Sequence, residues 1–226
     1  MRIRTKITAV VFTFILLTPK ALMSQNDDKA SMAQAAIQLG TELNKYQWDL
    51  LIAIGKRDDK AIDDLIKDPH FTALAVTSPG YILFAATQND NTTVIDAMLK
   101  ANAQISTSAD VSGRTALHVA VHGNDLKMVR YLLDHGIDAF KVSRTYETAL
   151  YDAVKGSKTD CAMAILQNLK MGGMLSLYIQ WEEVLFQVRT RGFTSQEMIA
   201  DEKDILLKIK KLASSVKSTP VLKAGN

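Results

Sequence analysis

The chain has 226 residues, 47% hydrophobic and 23% charged, with a formal net charge of +3, four histidines and one cysteine. The apolar content excludes a wholly disordered chain. A lone cysteine excludes an internal disulfide framework.

The N-terminal 24 residues have the layout of a secretory signal. Arg2, Arg4 and Lys6 precede an apolar run from Ile7 to Leu17, followed by Thr18-Pro19. A bilayer span needs about 20 apolar residues, so the run reads as a signal and not as an anchor. Cleavage is expected after Ser24, with Ala21 as the other candidate, and no stable membrane span remains afterwards. Removal takes Lys plus Arg from 27 to 23 against 24 acidic residues, a formal charge of −1. The basic excess therefore belongs to the targeting segment, and nucleic acid is not an expected partner. Export without disulfides fits a bacterial periplasmic or secreted protein.

Residues 25–46 are expected to form an N-terminal capping helix. Met32, Ala35, Ala36, Leu39 and Leu43 have helical spacing over about Asp28 to Asn44.

From 47 to 174 the chain repeats itself. Thr115-Ala116-Leu117 recurs as Thr148-Ala149-Leu150, and Leu132-Leu133 as Ile165-Leu166. Going backwards, Leu83, Ala86, Ile95, Met98 and Leu99 fall under Leu117, Ala120, Val129, Leu132 and Leu133. One step further reaches Leu50, Ala53, Ile62, Leu65 and Ile66. Four units thus begin near Trp48, Tyr81, Thr115 and Thr148. In the third, Thr115 is an N-cap and His118 stands three residues on, where its ring can bond back to the cap. Asn124 interrupts the helix, because Asn tolerates the left-handed turn needed there. A second helix follows with Leu126, Val129, Leu132 and Leu133 on one face, and Gly136 ends it as a left-handed cap. The equivalent residue is Asn102 in the second unit and Pro69 in the first. Proline cannot take that conformation, so the first unit is expected to be distorted at its exit. The fourth unit departs at Tyr151, which stands where the capping His would be.

The period and the segment Gly113–Ala139, GRTALHVAVHGNDLKMVRYLLDHGIDA, resemble the ankyrin repeat. The resemblance implies an all-α solenoid of stacked helix-turn-helix units with short extended fingers, capped by helices at both ends. It also implies that a partner protein meets the fingers and the exposed side of each first helix. Carried over by repeat position, the partner-binding residues are Val111, Ser112, Arg114 and His122 in the third unit. In the fourth they are Arg144, Thr145, Tyr146, Glu147 and Lys155, and the second offers Gln88 and Asn89. Tyr146 replaces the glycine found at Gly113. A fingertip Tyr beside Arg144 has the composition of an interface anchor.

Residues 175–216 read as a helical pair, a degenerate repeat or cap. Leu177, Trp181, Val184 and Val188 mark one face of its first helix. Thr194 with Glu197 forms a capping-box pattern ahead of a second helix carrying Met198, Ile205, Ile209, Leu212 and Val216. The tail 217–226 has no periodicity and is expected to be disordered.

No catalytic constellation stands out. Cys161 shares its repeat position with Met128 and Val94, which makes it a small core residue. His118 and His122 are four apart, but three or four ligands are needed for a metal, so no metal site and no cofactor are expected. Asp58-Asp59 and Asp63-Asp64 read as solvated charges. The sequence therefore points to a monomeric, non-catalytic exported protein that binds a protein partner as scaffold, inhibitor or accessory factor in the periplasm. The alternative setting is a secreted bacterial effector that binds host proteins.

Overall fold

The computed structural model describes residues 25–107 and 109–218. The expected signal segment and all but the first two residues of the expected tail lie outside the described residues. The chain divides into two compact units, Met1–Lys45 and Tyr46–Asn226. In the first, the described residues are helical, with Gln38 Nε2 donating to Glu42 Oε1 at 3.2 Å. They belong to a helix, α1 (Gln25–Lys56), that carries on past the expected boundary at 46 and supplies the opening helix of the first repeat.

In the second unit the helices pair as the period predicts. The part of α1 from Tyr46 onward pairs with α2 (Asp59–Ile66), the Tyr46 hydroxyl donating to the carbonyl of Leu65; α4 (Pro79–Gln88) pairs with α5 (Thr92–Lys100), α6 (Ala116–His122) with α7 (Leu126–Asp134), and α8 (Ala149–Lys155) with α9 (Thr159–Met171). Each pair turns through one left-handed residue, Arg57, Asp90, Asn124 and Ser157, spaced by 33, 34 and 33 residues. The turn is closed the same way four times. Asp58, Asn91, Asp125 and Lys158 donate their backbone N–H to Ala53, Ala86, Ala120 and Ala153 at 2.7–3.0 Å. Those four alanines are 0–4% exposed, so the small lattice residue is what lets the second helix fold back closely. The donor residue then caps the second helix through its side chain in three units. Asp58, Asn91 and Asp125 accept from Ala61, Val94 and Met128 at 2.9–3.0 Å. Lys158 has no acceptor to offer, and its Nζ reaches the carbonyl of His122 at 2.7 Å instead.

The second helices of the middle units end at Asn102 (φ +59) and Gly136 (φ +77), as expected of left-handed caps. The first unit cannot use this exit. Asp68 caps a new helix at once, with Pro69 in its first turn, so α3 (Pro69–Thr77) stands where the finger leading into the second unit would be. Its Phe71, Leu74 and Ala75 join the core.

First helices pack side by side, α4 on α6 on α8, and α7 packs on α9. The lattice residues Leu50, Leu83, Leu117 and Leu150 are 0% exposed, as are Ile95, Val129, Leu132 and Ile165. Cys161 is a buried free thiol in line with Met128 and Val94, all 0% exposed.

The C-terminal pair, α10 (Leu175–Thr190) and α11 (Gln196–Ser218), closes the stack differently from a repeat. α11 lies against both α8 and α9, while α10 runs along the fourth finger. Two local expectations are corrected. Ser195, not Thr194, caps α11: its hydroxyl accepts from Met198 N and its carbonyl from Ile199 N. The buried face of α10 is Leu175, Tyr178, Glu182 and Leu185, whereas Leu177, Val184 and Val188 are 39–52% exposed. The apolar stripe faces out because the inward face is held by polar bonds described below. On α11, Leu206, Ile209, Ala213 and Val216 are buried, while Met198 is 49% exposed.

Candidate functional site

The two fingers after α5 and α7 are turns built alike. In the earlier one, Asp110 Oδ1 accepts from the N–H of Ser112 and Arg114 at 2.9 and 3.0 Å, and Oδ2 from Arg114 Nε at 2.6 Å. Burial alone would raise the Asp110 carboxyl, but the Arg114 bonds and charge outweigh it, and Asp110 sits below its ordinary pKa. Arg114 is thus committed to bracing its own finger. In the later one, the Ser143 hydroxyl plays the part of Asp110 and accepts from the N–H of Thr145 and Glu147, both at 3.3 Å. An isolated antiparallel bridge, Val142 to Thr148, ties the base of the finger.

The fingers are bonded to each other. Arg144 N donates to Ser112 O at 2.9 Å. Its side chain lies over Gly113 (φ +74), where a Cβ would stand 3.1 Å from Arg144 Cγ and 3.2 Å from Arg144 N. Both backbone angle and space therefore require glycine there. The equivalent residue one unit on is Tyr146, at φ +61. A bulky side chain in that region carries strain of about 1–2 kcal/mol. Its backbone is held at both ends: Tyr146 N donates to Ser143 O at 3.1 Å, and its carbonyl accepts from Arg189 Nη1 at 2.8 Å.

His118 joins the third unit to the fourth finger. Its Nδ1 accepts from Thr115 N at 3.1 Å, which leaves the ring proton on Nε2, 3.0 Å from the carbonyl of Glu147. Burial holds its pKa below the ordinary value, although the Glu147 carbonyl opposes this. Both ring nitrogens are used, so His118 has none to give a metal alongside His122. Among the described residues no three His, Cys, Asp or Glu side chains gather as a metal site.

In the fourth unit this duty passes to the C-terminal pair. Tyr151 takes the His position, and its hydroxyl donates to Glu202 Oε1 at 2.6 Å. The Arg189 guanidinium stacks over the Tyr151 ring at 4.1 Å, bonds Glu202 at 2.9 Å and lies 3.8 Å from Glu182. Thr148 donates to Glu182 Oε1, and Tyr178 is fully buried beside the same carboxylate. Burial raises the Glu182 pKa; the Thr148 bond and Arg189 charge only partly offset it. Trp181 Nε1 donates to Phe140 O at 3.2 Å, and the Phe140 ring meets Tyr178 edge-on. Glu182 is 0% exposed and the Arg189 side chain 5%, so the cluster is sealed from solvent and acts as a joint.

The sequence-derived binding residues divide accordingly. Val111, Ser112, Arg144, Thr145, Tyr146, His122 and Lys155 are exposed, and the first five share the two bonded fingertips. Glu147 accepts from Thr145 Oγ1 at 2.6 Å and Lys155 Nζ at 2.9 Å, so like Arg114 it braces the scaffold. Burial would raise it, yet those bonds leave it below its ordinary pKa. In the second unit Gln88 is exposed, and Asn89 bonds back to Ala85 O at 2.9 Å. Sequence reasoning missed Tyr178, Glu182 and Arg189 as a set. Their spacing of four and seven along α10 was the available signal.

A family model for ankyrin repeats, three copies, matches residues 50–143. Residues 50–143 of this chain are ankyrin repeats. The match ends at Ser143, so the fourth unit and the C-terminal pair lie beyond it. Of the curated proteins, an ankyrin repeat protein of fowlpox virus (strain NVSL) is 34% identical over 77 residues, 34% of this chain and 55% of that protein. An L-asparaginase of Dirofilaria immitis is 27% identical over 128 residues, 55% of this chain and 22% of that enzyme. The chain therefore spans 55% or less of the length of each of these relatives. Ankyrin repeats are a protein-binding module, and no described helix is long and apolar enough to cross a membrane.

Proposed function

We propose that this chain is a non-catalytic, monomeric ankyrin-repeat protein that holds a protein partner on the paired fingertips Val111–Ser112 and Arg144–Tyr146, with Lys155 beside them and His122 exposed at the end of α6. The observation that carries the reading is Tyr146. It keeps an aromatic side chain, 51% exposed, at a left-handed position where the preceding finger has glycine. Strain held in place by the surrounding structure is a mark of a functional position, and an exposed Tyr next to Arg is what interface anchors are made of. Arg114 and Glu147 support this surface from beneath and do not form it.

The setting follows from the N-terminal sequence. A basic, apolar, proline-ended leader is the basis for proposing export to the periplasm or beyond, with a scaffolding, inhibitory or accessory role there. Mass spectrometry of the native protein is expected to find a chain that starts close to Gln25; intact Met1 in the soluble cytosol would refute export.

The test of the binding surface is affinity capture with the mature protein and its Arg144→Ala/Tyr146→Ala variant, followed by measured affinity for the protein that is lost. The variant is expected to melt like the parent and to bind about 30-fold more weakly, the equivalent of ~2 kcal/mol. Unchanged affinity in a folded variant would remove the fingertips from the site.

A further inference from the structure

The exposed surface of the closing pair is polar only in part. Leu177, Val184 and Val188 on α10 and Met198 and Leu207 on α11 are 39–55% exposed. A groove runs between the two helices, lined by Val184, Phe186, Ile199 and Leu207 together with Lys203, Lys210 and Glu183. A concentration of exposed apolar side chains among charged ones marks a surface that meets something.

We propose that this groove is a second docking surface, separate from the fingertips, and that it takes an amphipathic helix of a partner protein whose apolar stripe is flanked by carboxylates. Three observations choose that occupant. Leu177, Val184 and Val188 are spaced by seven and four, the spacing of a seam that another helix fills. The residues between them on the groove side are Gln180, Glu183, Phe186 and Gln187, and the one charge among them, Glu183, is already bridged to Lys210. The charge that α11 brings to the groove is basic: Lys203 is exposed, and Lys210 is bridged to Glu183 at 2.6 Å. Carboxylates on the incoming helix complement Lys203 directly and offer Lys210 a second partner.

Two other occupants fit less well. A second copy of this chain would bring Lys203 and Lys210 with a Glu183 already bridged to Lys210, so it adds less carboxylate for Lys203 than an acid-flanked helix does. A lipid surface would be met best by an outward aromatic, but the Trp181 indole is turned inward and its N–H is bonded to Phe140 O.

The experiment is a selection on the full mature chain from a displayed library of three-heptad helices. The seam is fixed as Leu, and the flanking positions vary among Glu, Gln and Lys. Glu is expected to be enriched at the flanks. The selected helix should bind at least tenfold more weakly to Val184→Asp/Leu207→Asp, and with unchanged affinity to Arg144→Ala/Tyr146→Ala, which separates this groove from the fingertips. Lys203→Glu/Lys210→Glu should invert the preference toward Lys-flanked helices, a result that misfolding cannot produce. No enrichment, enrichment without charge preference, or indifference to the groove substitutions overturns the proposal. So does a dimer in light scattering that Leu207→Asp dissolves, or binding to anionic vesicles that the same substitution abolishes.

Discussion

Arg189 donates to the backbone carbonyl of Tyr146 at 2.8 Å, so a helix outside the repeat array holds the fingertip of the fourth repeat. The same guanidinium stacks on Tyr151 and is bonded to Glu202, which ties finger, first helix and closing helix into one joint. The fourth unit dispenses with a capping histidine because its neighbour is this joint and not another repeat.

Removing Arg189 should therefore be costly. Arg189→Met leaves Glu182 buried without its nearby cation, and breaking a buried pair from one side destabilises by about 3–5 kcal/mol. Adding Glu182→Gln removes the stranded charge, and Gln still offers Thr148 an acceptor. Urea unfolding of both single variants and the double should show the double recovering much of the loss. Additive losses would mean that Arg189 and Glu182 are not coupled.

Tyr146 tests the strain directly. Tyr146→Gly relieves about 1–2 kcal/mol of left-handed strain and gives back about 0.5–1 kcal/mol through glycine's freedom in the unfolded chain. Thermal stability is expected to rise by up to about 1.5 kcal/mol while partner binding falls. A clear loss of stability would show that the ring packs against the protein, despite its exposure.

Much of this was legible in the sequence, for a physical reason. Ala53, Ala86, Ala120 and Ala153 and the left-handed residues between the helices are local requirements repeated in each unit, so spacing alone exposes them. Pro69 announced an irregular exit because proline cannot be left-handed, though nothing local says that a whole helix, α3, follows. The closing pair was read less well. Leu177, Val184 and Val188 look like a core face by hydrophobicity, whereas the buried face holds Glu182 and Arg189. A buried charge cluster is stabilised by partners far along the chain, here Thr148, Tyr151 and Glu202, and periodicity carries no information about them. The cap of α11 moved from Thr194 to Ser195 because neighbouring hydroxyls compete for one role.

Asp152 makes stability depend on pH. It lies near Glu147, Lys155, Arg114 and Lys158, and burial, then the Glu147 charge, push its pKa up to about 6. An unfolded Asp titrates near 3.9, so the native chain holds this proton more tightly. Its contribution is most favourable below about pH 4, declines as the pH rises toward 6, and stays at the lower level above that. Asp152→Asn should raise the melting temperature at pH 7.5, by the equivalent of about 1–3 kcal/mol, and change it little at pH 4. An equal shift at both values would mean that the carboxyl is not the cause.

The core of the array is the last test. Leu132 is 0% exposed on the inner face of α7, and its carbonyl also accepts from Ile137 N at 3.1 Å to end that helix. α7 packs on its own partner α6 and on α9 of the next unit, so a cavity there is felt on both sides. Leu132→Ala should cost about 2–5 kcal/mol, as large-to-small changes in packed interiors do. Because units stabilise one another only through their neighbours, hydrogen exchange should quicken in α6 and α9 as well as in α7. The Leu→Ala change leaves the Ile137 backbone bond available, so loss confined to the α7 exit would mean that Leu132 acts as a helix end and not as part of the lattice. An unchanged melting temperature would place the repeat register itself in error.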